Sequence, residues 1–334
     1  MSSFFFMVMT KRVIGLGNAL ADILTRIETD EILNELCFGR GTMNLVDRTV
    51  HRRILELTAG LDRTIISGGS AANTMRGLAR LGMPSAYIGK IGKDHIGTFM
   101  RDEMTDYDLQ PRLIESETPT GQCMVLISPD GERTMATFLG AAVELTDGEI
   151  TDELLSGYDV LHTEGYLVQN HELIEGLLRK AKEAGMTVSL DMASYNVVGE
   201  NLEFLQGLVR DYVDILFANE EEARVFTGLE PEEAVVRMGE LTDIAVVKIG
   251  AEGSLIYSGG ELFRVEAFPA RVVDTTGAGD LYATGFLYGW CRGMSLARCG
   301  EIGSLVAAKG IEHVGPAFTE EGVEEIKKEL ARSK

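Results

Sequence analysis

The chain has 334 residues, of which 45% are hydrophobic and 25% charged, and its 31 basic against 52 acidic side chains give a formal charge of −21. This length and apolar share support a substantial buried core and exclude a disordered or collagen-like chain. The acidity, with no basic stripe or polybasic patch to offset it locally, excludes a nucleic-acid polymer and a membrane surface as partners.

The opening MSSFFFMVMTKR carries its charges after a short apolar run, which is the wrong order for a secretory signal, and no later stretch approaches an uncharged membrane span. Residues 1–10 read as a loose leader or an extra edge strand, and the cytoplasm is the expected location. "VIGLGNAL" at 13–20 predicts a strand running into a glycine turn. Residues 24–50 read as a hairpin. A helix is expected from Ser70 to Leu81, then a strand at 85–92. "TGQCMVLISPDGERTMATFL" at 120–139 is a clearer hairpin, turning at Pro129-Asp130-Gly131.

"YDVLHTEG" at 158–165 predicts a strand, and "NHELIEGLLRKAKEAG" a helix closed by Gly185. "MTVSLD", "VDILFAN" and "DIAVVKIG" repeat the strand pattern, each ending on a polar residue or glycine. The expected architecture is an α/β domain over residues 11–330, three layers deep, with a mostly parallel central sheet. A small β-sheet lid would come from about 24–50 and 118–140, and 331–334 would be a tail. Ligands gather beyond the carboxyl ends of such strands, where Asn18, Glu164, Asp191 and Asn219 would lie.

Cys37, Cys123, Cys291 and Cys299 lack metal or redox spacing and read as reduced, buried thiols, with Cys291 and Cys299 able to face each other two helical turns apart. His162, His171 and His313 show no ligand spacing either.

The sharpest feature is "VVDTTGAGDLYATGFLYGW", in which Gly277, Ala278 and Gly279 precede Asp280 at the start of an apolar helix. Small residues let successive N–H groups point into one cavity, and a helix N-terminus adds unpaired donors and a positive dipole, which together make an anion hole. A carboxylate at its mouth repels phosphate but suits a base for an attacking hydroxyl. The alternative is a tight turn with Asp280 as a helix cap. No GxxxxGK[ST] loop is present, so a kinase here must build its phosphate site differently.

"ISGGSAANTMRGLARLG" again sets small residues, Gly68 and Gly69, before a helix carrying Asn73. Asp22 could chelate two sugar hydroxyls or serve a turn. Asn219 and Glu222 lie one helical turn apart and could organise Mg2+ through waters, or simply start a helix. Lys248 could reach a nucleotide phosphate or extend towards solvent.

Together "DTTGAGD" at 274–280 and "GGSAANTMRGLARLG" at 68–82, with "GNALAD", "KIGKDHIG" and "NEEE", resemble the ribokinase-like (PfkB) family of sugar and nucleoside kinases over essentially 11–330. The resemblance implies a ribokinase-like sandwich with a β lid, Asp280 as catalytic base and Gly277, Ala278 and Gly279 as its anion hole. It implies a substrate site of Asn18, Asp22, Gly68, Gly69, Asn73 and Glu164. ATP would meet Asn219, Glu222, Lys248, Gly250, Gly253, Gly277 and Gly279. Mg2+ would sit near Glu222 through water, and K+ is a further candidate ion at Asp274, Thr276 and Gly315.

The stretch 119–142 and "MNLVD" at 43–47 are similar to adenosine-kinase-like members, whereas Glu164 resembles an acidic sugar ligand of ribokinases. Phe38, Met43, Met135 and Phe138 are the candidates for an adenine sandwich. The expected activity is transfer of the ATP γ-phosphate to the 5′-hydroxymethyl group of a ribose-containing substrate, adenosine first. The alternatives are a kinase of a free sugar, or a non-catalytic nucleoside or sugar sensor. The partners are then small molecules, and the assembly a monomer or a homodimer through the lid.

Overall fold

The computed structural model describes residues 10–315 and 318–332. Apart from Thr10, the leader expected at 1–10 lies outside the described residues, as do the last two residues of the expected tail; the rest of that tail continues the helix Glu320–Arg332. The strands are β1 (Val13–Leu16), β2 (Leu20–Arg26), β3 (Met43–Leu45), β4 (Arg63–Ser67), β5 (Ser85–Gly92), β6 (Gln110–Ser116) and β7 (Gly121–Ile127). They continue as β8 (Arg133–Phe138), β9 (Val160–Glu164), β10 (Thr187–Asp191), β11 (Ile215–Asn219), β12 (Ile244–Lys248), β13 (Ser254–Ser258) and β14 (Glu261–Val265).

A nine-stranded sheet has the order β14-β13-β12-β11-β10-β9-β1-β5-β6. It is parallel from β12 through β6, and β13 and β14 add an antiparallel edge. Side chains alternate across it, so both faces are apolar and both are covered. Val13, Tyr87, Phe217 and Val246 join Met75, Phe286 and Ile302 from the helices Ser70–Arg80, Ala278–Trp290 and Leu296–Gly310. Ile14, Leu16, Leu161 and Val188 join Leu177 and Leu205 from His171–Glu183 and Leu202–Tyr212 on the other face. These are the three layers expected.

The helix that carries Asp280 is held at close quarters. A Cβ on Gly285 would lie 2.4 Å from the Ile302 carbonyl oxygen, so Ala278–Trp290 and Leu296–Gly310 meet almost backbone to backbone. Gly285→Val is expected to cost about 1–3 kcal/mol by overpacking, read as a lower midpoint in denaturant unfolding; an unchanged midpoint would contradict this packing.

The lid is a five-stranded sheet ordered β3-β8-β7-β2-β4. β7 and β8 form the expected antiparallel hairpin. The expected hairpin at 24–50 is not formed. That stretch holds the end of β2, a short helix Glu31–Glu35, the three-residue β3 and the start of a helix Arg48–Leu57, whose N-cap Asp47 accepts from the Thr49 and Val50 amides. β2 pairs instead with β7 and with β4, which lies beyond the expected range. Short polar strands without a buried face on each side leave little periodicity to read.

Cys123, Cys291 and Cys299 are buried as expected, but Cys37 is exposed, and Cys291 and Cys299 belong to different elements, one ending the helix Ala278–Trp290 and the other within Leu296–Gly310.

Candidate active site

β1 ends at Leu16, and Gly17 passes the chain over Glu164: a Cβ there would lie 2.4 Å from Glu164 Oε2. Glu164 closes β9 and is 1% exposed. Its Oε1 accepts from the Asn18 backbone N–H (3.0 Å) and Asn18 Nδ2 (3.1 Å), and Oε2 accepts from the Ala71 N–H (2.8 Å). Burial pushes its carboxyl above the ordinary range against these bonds. Glu164, expected to grip a substrate hydroxyl, meets three donors of the chain in this structure. Its oxygens are engaged by the chain itself, and it positions Asn18 and the start of Ser70–Arg80.

That helix begins after Gly68 and Gly69. Gly69 takes a φ of +87°, and a Cβ on it would lie 2.5 Å from the Asn18 carbonyl oxygen, so only glycine fits. A Cβ on Gly68 would lie 2.7 Å from Asp22 Oδ1, which puts the Asp22 carboxylate against this turn. Burial raises Asp22 to about 6, with Arg76 and Arg133 pulling the other way. Asp22 makes no side-chain hydrogen bond among the described residues, leaving its oxygens free for a ligand.

Asp280 lies in the first turn of Ala278–Trp290, facing the first turn of Ser70–Arg80. Ser70 Oγ donates to Asp280 Oδ1 (2.6 Å) and Asn73 Nδ2 donates to Oδ2 (2.8 Å). Asn73 Oδ1 in turn accepts from the Arg76 guanidinium. Asn73, expected to meet substrate, bonds the chain at both ends of its amide and holds this carboxylate. Burial raises Asp280 to about 7, opposed by the Ser70 and Asn73 bonds. A carboxyl near neutrality, oriented by two donors, is matched to taking a proton.

Gly277, the N-cap, has the left-handed φ of +72° that lets the chain enter the helix. The Gly277, Gly279 and Asp280 N–H groups have no partner among the described residues, whereas the Ala278 N–H donates to the Thr275 carbonyl (3.1 Å). Of the residues expected to form an anion hole, Gly277 and Gly279 keep open amides and Ala278 does not. Lys248 adds a cation beside them: a Cβ on Gly279 would lie 2.9 Å from Lys248 Nζ. Lys248 Nζ also donates to Asp191 Oδ2 at 2.6 Å. Burial works against this ammonium, but Asp191 and Glu222 outweigh it and raise its pKa, so it stays charged.

Asn219 and Glu222 form a capping box. Glu222 Oε2 and Oε1 accept from the Asn219 N–H (2.8 Å) and Nδ2 (2.7 Å), and Asn219 Oδ1 accepts from the Glu222 N–H (2.9 Å). Burial raises Glu222 to about 7, with Lys248 opposing. Gly250 opens a short turn after β12, with open space around its Cα. Gly253 is fixed by packing instead, since a Cβ there would lie 1.9 Å from the Val265 carbonyl oxygen.

Asp274, Thr276 and Gly315 come together, but not as a cation cage. Asp274 Oδ1 accepts from the Thr276 N–H (3.1 Å) and Oγ1 (2.8 Å), and Oδ2 accepts from the Gly315 N–H (2.7 Å) and from Arg133 Nη1 (2.8 Å). These bonds outweigh burial and hold Asp274 below the ordinary carboxylate range. The positive charge at this loop is the lid's own Arg133, so the residues do not fit the expected K+ site.

An aromatic wall comes from an element the sequence did not single out. Tyr166, just beyond β9, lines a cavity of about 340 Å³ with Asn18, Leu139, Ala142, Val143 and Leu167, and with Gln169 and His171 among its polar lining. Of the candidates for an adenine sandwich, Phe138 stacks on His51 with centroids 4.8 Å apart, Phe38 packs against the core and Met43 is 58% exposed. Ser70 lies inside the glycine-rich stretch at 68–82, and no local signal marks its bond to Asp280, 210 residues away. Tyr166 follows Glu164 by two residues, a strand-end position where ligands gather.

Among the described residues no helix is long and apolar enough to cross a membrane, and no group of three or more His, Cys, Asp or Glu could hold a metal ion. The family model for pfkB family carbohydrate kinases matches residues 36–321. A solved structure titled a probable sugar kinase protein from Rhizobium etli CFN 42 is 34% identical with a TM-score of 0.86, covering 96% of this chain and 99% of that one. The adenosine kinase from Sinorhizobium meliloti is 32% identical with a TM-score of 0.84, covering 97% and 100%. The adenosine kinase of Saccharomyces cerevisiae is 27% identical over 346 residues, covering 94% of this chain and 99% of that protein. With a buried carboxylate, open amides and a lysine at one helix end, and with this likeness along nearly its whole length, the chain is a phosphotransferase that belongs to the pfkB family of carbohydrate kinases.

Proposed function

We propose that the protein transfers the γ-phosphoryl group of ATP to the 5′-hydroxymethyl group of a ribonucleoside, with adenosine as the foremost acceptor. The observation that carries this reading is the cavity walled by Tyr166 and Leu139 that shares Asn18 with the catalytic end of the sheet. A flat base fits an aromatic face with apolar neighbours, while the ribose hydroxyls meet the unpartnered carboxylate of Asp22. Similarity to the adenosine kinases supports the same acceptor.

In this reading Asp280 takes the proton of the 5′-hydroxyl as its oxygen attacks phosphorus. The Gly277, Gly279 and Asp280 amides and Lys248 face the charge on the migrating group. Arg133 carries a positive charge from the lid to the same loop, so lid closure and completion of the phosphate site coincide. Mg2+ arriving with the nucleotide would neutralise phosphate charge. Because Asn219 already engages both oxygens of Glu222, this pair fits a hydrated ion held through water and not a direct ligand.

The test is ATP-coupled turnover with adenosine, inosine, ribose and fructose. Adenosine is expected to saturate at the lowest concentration. Tyr166→Ala is expected to raise its KM by about 5- to 150-fold, from a stacking contribution of about 1–3 kcal/mol. Saturation by ribose but not adenosine would establish the second reading, a free-sugar kinase, which the Rhizobium etli likeness favours. ATP-independent binding of a nucleoside without turnover would make the protein a sensor.

A further inference from the structure

Arg76 is a buried cation that the phosphoryl-transfer steps above do not use. It sits on the inner face of Ser70–Arg80, 6% exposed, one turn beyond Asn73. Nη1 donates to the Ser67 carbonyl at the end of β4 (2.9 Å) and to Glu103 Oε2 (3.0 Å) on the helix His95–Asp106. Nη2 donates to Asn73 Oδ1. One guanidinium thereby joins the last residue of a lid strand, a flanking helix and the amide that holds Asp280.

The chemistry of an amide gives this contact its consequence. The Asn73 side chain presents an oxygen on one side and an NH2 on the other. With Arg76 donating to the oxygen, the NH2 must face Asp280, where it donates to Oδ2 at 2.8 Å. Released from Arg76, the amide can turn its oxygen towards the carboxylate, which would exchange an attraction for a repulsion.

We propose that Arg76 is a positioning residue for phosphoryl transfer, acting through Asn73 to hold the Asp280 carboxylate ready for the acceptor hydroxyl. The inference rests on Asp280 being the base. The groups that face this carboxylate are Ser70 and Asn73 from Ser70–Arg80, Asp191 from β10, Lys248 from β12 and the Tyr166 phenol beyond β9. On its other side Arg76 faces Asp22 of β2, whose carboxylate it stabilises in the charged form. Ser70 and Asn73 pull the Asp280 pKa down, so losing the Asn73 bond raises it.

The test compares Arg76→Met and Arg76→Lys with Asp280→Asn, using adenosine and ATP. Arg76→Met is expected to lower kcat on the order of 10²-fold, the loss typical of a displaced reacting group. The acid limb of its kcat/KM profile is expected at higher pH than in the wild type, with the KM for ATP close to wild type. Arg76→Lys keeps the charge beside Asp22 but cannot bridge Ser67, Glu103 and Asn73 together. It is expected to shift the limb in the same direction by a smaller amount, and it decides the matter if Arg76→Met does not fold. An unmoved acid limb in Arg76→Lys, with Asp280→Asn inactive, overturns the role of Arg76 and leaves the base standing. Turnover in Asp280→Asn near that of the wild type overturns the base, and the role of Arg76 with it.

Discussion

Asp280→Asn is expected to fold and to bind ATP and acceptor, yet to lose about 10²- to 10⁴-fold of kcat, the range associated with a positioned general base. The substitution keeps the shape and one acceptor oxygen, so Ser70 or Asn73 retains a partner. It removes the basic lone pair at the mouth of the open Gly277 and Gly279 amides. Binding is read by calorimetry and chemistry by single-turnover mixing with ATP. Turnover near wild type would remove Asp280 from the mechanism. The same carboxyl is expected to set the pH dependence. Protonated it cannot accept a proton, and burial places its pKa at about 7. The wild-type kcat/KM is therefore expected to fall as pH drops through about 7, because that profile reports the free enzyme. A profile flat down to the ordinary carboxylate range would contradict the base assignment.

Most of what was legible in the sequence was periodic or punctuated. β5 coincides with the expected 85–92, and β9 to β12 fall within the expected strands, because buried parallel strands are apolar runs ended by polar residues or glycine. Gly68, Gly69 and Gly277 were readable because a close approach or a left-handed φ admits few residue types. Contacts between distant elements were not readable. Asn73 and Glu164 are the residue types that bind hydroxyls, yet one holds Asp280 from 207 residues away and the other supports Asn18 from 146. Composition names the donor and acceptor, but only topology decides whether the partner is a ligand or the chain itself. The lid illustrates the same limit: β2 pairs with β7 and β4, and nothing local to residues 24–50 announces those partners.

Lys248→Met is the substitution expected to cost the most stability, about 3–5 kcal/mol at neutral pH, as when one member of a buried ion pair is removed. Lys248 Nζ is 2.6 Å from Asp191 Oδ2, the Asp191 side chain is 5% exposed, and Glu222 and Asp280 share the same positive charge. Methionine matches the stem but leaves these carboxylates facing one another without a cation. The deficit must depend on pH, and its sign follows from Glu222. Its folded pKa, raised from 4.5 to about 7, marks a group whose stabilising protonated form is complete below 4.5 and lost as pH rises through 7. Without Lys248 that pKa rises further, because Lys248 is what opposes burial. The difference between variant and wild type is therefore expected to be small below pH 4.5 and largest above 7. Denaturant unfolding at both ends of this window measures it, and an equal deficit at both would show that lost packing, not charge, is responsible. Catalysis should fail along with stability at neutral pH. The chain's acidity is, at this one point, arranged around a lysine, so that three carboxylates can stand together beside the open Gly279 amide.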